Sequence, residues 1–164
     1  MGDVLKDDDK VVLYADLAGQ IDALLAGESD VMANLANAAA AIYHTLPELN
    51  WAGFYVLRGR ELVLGPFQGK PACVRIPVGK GVCGAAAEQR RAILVPDVHA
   101  FPGHIACDSA SQSELVIPLI REKTLIGVLD LDSPRLARFD ALDQAGCEAL
   151  VAVIVRHLTS APPV

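Results

Sequence analysis

Apolar residues recur every three or four positions at both ends of the chain and every second position through its middle. That change of period separates helical ends from a strand-forming centre, since a helix face repeats at about 3.6 residues and a strand face at about 2. Residues 7–26, DDDKVVLYADLAGQIDALLA, place Val11, Tyr14, Leu17, Ile21 and Leu24 on one stripe and predict an amphipathic helix. Its first turn is acidic, and Asp7 to Asp9 favour the positive end of the helix dipole. KDDDK (6–10) also resembles part of an expression tag, but it passes smoothly into the helical pattern and reads as the helix start. GESD (27–30) interrupts the pattern and offers Ser29 or Asp30 as the cap of a second helix. Residues 31–46 carry Leu35, Ala39, Ile42 and Leu46 on that helix's stripe, and Pro47 ends it.

From residue 51 the period becomes two. WAGFYVL (51–57) and ELVLGPFQ (61–68) flank the turn RGR and predict a hairpin, and ACVRIPV (72–78) predicts a third strand. GKGVCGAAAEQRR (79–91) opens on glycines and becomes a short helix. AILVPDV (92–98) reads as a short strand and HAFPGHIACDSASQS (99–113) as a long loop. ELVIPLI (114–120) and TLIGVLDLD (124–132), joined by REK, form a second hairpin. Asp140 caps a last helix running to about Thr159, with Leu142, Ala145, Ala149, Val153 and Leu158 near its apolar stripe. APPV (161–164) reads as a frayed tail.

This order predicts an α+β fold with a mainly antiparallel sheet. The three terminal helices would cover one face, and the mid-chain loops would close a pocket on the other. The expected organisation is one domain over 1–164, with N-terminal helices at about 7–46, sheet and pocket at about 50–133, and the C-terminal helix at about 140–159.

Composition narrows the function. The chain has 164 residues and is 52% hydrophobic, enough for a real core. It has no apolar run near the ~18 residues that a membrane span needs. The start MGDVLKDDDKVV lacks a signal-peptide apolar region, and Lys6 stands where a myristoylation signal carries Ser or Thr. A cytoplasmic protein without a membrane partner is the expectation. Net charge is −6 and the basic residues are scattered, with only Arg90 and Arg91 adjacent. That argues against nucleic acid, which needs a concentrated basic surface. A small-molecule or protein partner fits better.

Candidate chemistry lies in cysteines and acids. Of the four cysteines, Cys147 sits inside the last helix among apolar residues and reads as packing. Cys73 begins a strand. Cys83 enters a helix, where the N-terminus is expected to lower a thiol's pKa. Cys107 lies in the long polar loop, and loops beyond about 12–15 residues in compact domains are usually functional or disordered. Zinc held by these three with His99 or His104 is disfavoured, because the separations are 10 (73 to 83) and 24 (83 to 107) and no close pair exists. Permanent disulfides are rare in a reducing cytosol, so a thiol redox site, with one exposed nucleophile and partners from other segments, fits better.

In TLIGVLDLD, alternation puts Ile126, Val128, Asp130 and Asp132 on one face and Leu125, Leu129 and Leu131 on the other. The short hairpin would bring Glu114 beside Asp132. Three converging acids would raise at least one pKa and supply a proton donor near neutral pH. A solvated sheet edge would give the same sequence pattern.

NWAGFYVL, LGPFQGKPACVRIPVGKGVCG, LVPDVHAFPGHIACDSASQSE and GVLDLDSP together resemble the free methionine-(R)-sulfoxide reductases, which are built on the GAF fold. The resemblance covers roughly 10–160, with no departure at the cysteine or acid positions and conservative differences at Val78 and Lys80. It implies that Cys107 is the nucleophile, Cys73 the principal resolving cysteine, and Cys83 a third active-site cysteine that contacts substrate or resolves in its place. It implies that Glu114, Asp130 and Asp132 hold the substrate's ammonium and sulfoxide oxygen, and that Trp51 and Tyr55 wall the pocket. It further implies free methionine sulfoxide as substrate and no bound metal or organic cofactor. Thioredoxin, drawing indirectly on NADPH, would be the electron donor, and the chain would form a homodimer. The alternative within the same fold is a non-catalytic GAF module that senses a small ligand.

Overall fold

The computed structural model describes residues 5–105 and 107–158. The Met1–Gly2 start, Thr159 and the APPV tail lie outside them. The elements follow the order α1 (Asp7–Leu25), α2 (Val31–Thr45), β1 (Trp51–Arg58), β2 (Glu61–Gly69), β3 (Arg75–Pro77), α3 (Gly81–Gln89), β4 (Ile93–Val95), β5 (Ser113–Arg121), β6 (Thr124–Ser133) and α4 (Ala141–His157). The long loop opens with one turn of 3-10 helix at Val98–Ala100.

The six strands form one sheet in the order β3-β2-β1-β6-β5-β4, and every neighbouring pair is antiparallel. On one face, α2 packs on β1 and β2, α4 packs on β5, and α1 lies against α2 and α4. Leu17, Ile21, Leu35, Ile42, Phe54, Leu131 and Leu150 fill the layer between. On the other face α3 covers β5 and β6. A second apolar cluster there includes Trp51, Tyr55, Ile76, Val82, Val116 and Val128. Alternation along β1 does this sorting: Ala52, Phe54 and Val56 face the helical layer, while Trp51 and Tyr55 face the other. No helix among the described residues is long and apolar enough to cross a membrane.

Several expectations shift. On α1 the buried line is Lys10, Tyr14, Leu17, Ile21 and Leu25, while Val11 and Leu24 are exposed. The stripe turns because Lys10 is drawn inward to the carboxylates of Asp140 (2.7 Å) and Asp143 (2.8 Å) on the far helix. On α4, Ala145 and Ala149 are exposed, and Gly146, Cys147, Leu150, Val151 and Ile154 are buried. Gly146 faces α1, where a Cβ would overlap the Tyr14 ring. Asp30 rather than Ser29 caps α2, accepting from the Ala33 N–H at 2.8 Å. β3 and β4 are three residues each, shorter than 72–78 and 92–98, because each sits at a sheet edge and pairs over three positions. A register shift between Leu119 and Ile120 opposite β6 moves Ile126 into the helical layer and Leu125 to the α3 side. Ile126 therefore does not share the face of Val128, Asp130 and Asp132.

Candidate active site

The α3 face of the sheet holds a cavity of ≈ 520 Å³, solvent at its mouth included. Its polar wall comes from β5 and β6. Their register sets Glu114 directly opposite Asp132 and Val116 opposite Asp130. β1 adds Gly53 opposite Asp130 and Trp51 opposite Asp132. Glu114, Asp130 and Asp132 are only 5%, 7% and 9% exposed, so they are not a solvated sheet edge.

Burial dominates their electrostatics. It pushes Glu114 up to about 8, aided by the Asp132 charge and opposed by hydrogen bonds from Asp130 and Cys83. Burial also drives Asp130 well above the usual carboxylate range, with the Glu114 charge adding to it, and does the same to Asp132, with Asp130 adding. Two ionised carboxylates cannot bond to each other, so the cluster holds protons near neutral pH. Asp130 Oδ1 is buried and lacks a hydrogen-bond partner among the described residues.

Cys83, in the first turn of α3, lies 3.9 Å from Glu114 Oε1. The expectation of a lowered thiol pKa is overturned. Full burial comes first, and the neighbouring Asp130 and Glu114 charges then push the thiol well above its ordinary value. Together these outweigh the helix N-terminus, whose effect is modest. Cys83, Glu114 and Asp130 offer ligand atoms within 4.8 Å of one another, which is the geometry a metal ion would use. This set differs from the three cysteines considered above. It also fits a metal poorly, because a thiol held protonated by two acids is a weak ligand.

Cys73 and Cys107 are joined in a disulfide, with Cα atoms 5.7 Å apart, and Cys107 lines the cavity. Cys147 is buried in the helical layer and packs 3.8 Å from the Tyr14 hydroxyl. Trp51 and Tyr55 stack with ring centroids 5.9 Å apart. Each also holds the segment carrying Cys73. Trp51 Nε1 donates to the Lys70 carbonyl at 3.1 Å, and the Tyr55 hydroxyl donates to the Cys73 carbonyl at 2.9 Å.

Asn50, His104, Asp108 and Ser111 also join the site, none of them a residue that the sequence assigned to it. Asn50 Nδ2 donates to Asp108 Oδ2 and Ser111 Oγ, both at 3.1 Å, and so ties the loop after Cys107 to the start of β1. His104 places Nε2 3.6 Å from Glu114 Oε2. The sequence offers His104, three residues before Cys107, only as an alternative to His99 in the disfavoured zinc reading.

A cysteine pair able to form a disulfide, set beside protonated carboxyls, suits the transfer of an oxygen atom from a protonatable donor to sulfur. This fold and pocket define a GAF domain, and the GAF domain family model matches residues 28–158. The chain belongs to the free methionine-R-sulfoxide reductase family of GAF-domain oxidoreductases. It is 52% identical to the free methionine-R-sulfoxide reductase of Escherichia coli over 92% of each chain. It is 47% identical to that of Saccharomyces cerevisiae over 78% of this chain and 76% of the other. The structure of free methionine-R-sulfoxide reductase from Neisseria meningitidis in complex with its substrate superposes with a TM-score of 0.88 at 45% identity, covering 92% of this chain and 90% of that one.

Proposed function

We propose that this chain reduces free L-methionine-(R)-sulfoxide to methionine, with Cys107 as nucleophile and Cys73 as resolving cysteine. The observation that carries this reading is the Cys73–Cys107 disulfide at a cavity walled by Glu114, Asp130 and Asp132. A carboxyl of that cluster protonates the sulfoxide oxygen, and the Cys107 thiolate attacks the sulfoxide sulfur. The oxygen passes to Cys107 as a sulfenic acid and methionine leaves, so the substrate sulfur gains the two electrons that Cys107 loses. The Cys73 thiol then condenses with the sulfenic acid, releasing water and forming the disulfide. A dithiol donor, thioredoxin drawing on NADPH, reduces it by exchange. Asp130, with its unpartnered buried oxygen, and Asp132 accept from the substrate's ammonium. Trp51 and Tyr55 enclose the methyl-sulfur end, and Cys83 contacts the substrate or resolves in place of Cys73. No bound cofactor is required. A homodimer in the cytoplasm completes the reading, and Val11, Val12 and Leu24, exposed on α1, are the spare apolar surface that supports it.

Single turnovers of the reduced enzyme test the assignment. Cys107→Ser should release no methionine. Cys73→Ser should release one equivalent per chain and then stall with thioredoxin. Binding of the sulfoxide by wild type with no methionine released would favour the sensor reading instead.

A further inference from the structure

The proposed reaction leaves a proton unaccounted for within the cavity. Cys107 must lose one to become a thiolate, and the carboxyl that protonates the sulfoxide must regain one. Facing Glu114 are Cys83 from α3, Asp130 and Asp132 from β6, Tyr55 from β1 and His104 from the loop, with Asp108 beyond Asp132. Burial holds the two β6 carboxyls, the Cys83 thiol and the Tyr55 hydroxyl in their protonated forms, so none of them is a base near neutral pH. Desolvation lowers the His104 pKa, so its imidazole is neutral and free to accept. Its side chain is 15% exposed, lines the same cavity as Cys107, and stands on the same loop with Nε2 3.6 Å from Glu114 Oε2.

We propose that His104 is a further catalytic residue for the reduction, a base that takes the proton lost by the Cys107 thiol and relays it to the Glu114 carboxyl. The inference rests on the reductase reading above. In the forward step the Cys107 S–H bond breaks and the proton moves to the imidazole. The Glu114 O–H bond breaks and its proton goes to the sulfoxide oxygen, which leaves on Cys107 as the sulfenic hydroxyl. The imidazolium then returns its proton to the Glu114 carboxylate. The sum is thiol plus sulfoxide giving sulfenic acid plus thioether, with no net proton released.

The test is single-turnover methionine release from pre-reduced enzyme, followed from about pH 5.5 to 9, for wild type, His104→Gln and His104→Ala. Both variants should lose about 10²-fold in rate near neutral pH, the scale of general acid–base assistance, while sulfoxide affinity stays within about 3-fold. Their rate should rise with pH up to about 8, where the Glu114 carboxyl ionises and stops donating, over a range in which wild type is flat, because without the imidazole the thiol must ionise unaided. Added imidazole should restore His104→Ala. Variant rates and pH profiles matching wild type would overturn the relay. So would a loss that follows weakened sulfoxide binding or a lowered melting temperature, with no change of profile and no rescue. If wild type itself releases no methionine, the reductase reading fails rather than the relay.

Discussion

Glu114 occupies a position where a carboxyl destabilises the fold. In the unfolded chain it ionises near 4.5, whereas burial in the folded protein raises it to about 8. Between those values the unfolded state binds fewer protons, so stability falls as pH rises, by on the order of 1 kcal/mol per pH unit. The loss is complete above about 8 and absent below about 4.5. Glu114→Gln, neutral at every pH and similar in shape, should therefore melt higher than wild type at alkaline pH and match it near pH 4, while losing methionine release. Thermal unfolding across this range checks it, and equal shifts at both ends would contradict the burial account. The meeting of Glu114 with Asp132 was legible in the sequence, because a two-residue period and the short REK turn fix the register across the hairpin. His104 and Asn50 were not, because a loop has no period from which a neighbour can be deduced.

Among the elements, α3 is held unusually close to the edge of the sheet. Gly84 allows it, since a Cβ there would lie 2.5 Å from the Pro77 carbonyl oxygen of β3. The same turn is tied by the Gly79 N–H donating to the Gly84 carbonyl at 2.8 Å. Gly84→Ala must push α3 away from β3 and carry Cys83 from its place 3.9 Å from Glu114. The expected cost is about 1–3 kcal/mol, as for other overpacked sites, with activity lost beyond what the remaining folded fraction explains. Melting temperature and single-turnover rate measured together check it, and wild-type values for both would contradict the close approach. The long helices and strands were legible, since their periods persist for long enough to count, whereas β3 and β4 are only three residues each. Which helical residues face inward was less so. The α1 face is set by ion pairs between Lys10 and acids about 130 residues away. One irregular position in β6 likewise moved Ile126 to the opposite layer.

At the scale of the whole molecule, the sheet separates two tasks. Its helical face is a buried apolar layer. Its other face carries every group assigned to chemistry, with the disulfide at the cavity and the acids on its wall. The layering was legible from the element order alone, because hairpins require antiparallel pairing and terminal helices must bury their stripes on one face. The closure of the cavity by the 70–73 segment was not. It depends on hydrogen bonds from Trp51 and Tyr55 to backbone carbonyls, which leave no trace in hydrophobic pattern. A cavity walled by buried acids suits a free amino acid, whose ammonium they can hold, and a peptide chain has no such group at the reacting residue. The most direct measurement is methionine release by the reduced enzyme from four substrates: the R and S sulfoxides, each free and peptide-bound. The account predicts turnover of the free R sulfoxide alone. Turnover of the S form or of a peptide-bound sulfoxide, or of none of the four, would contradict it.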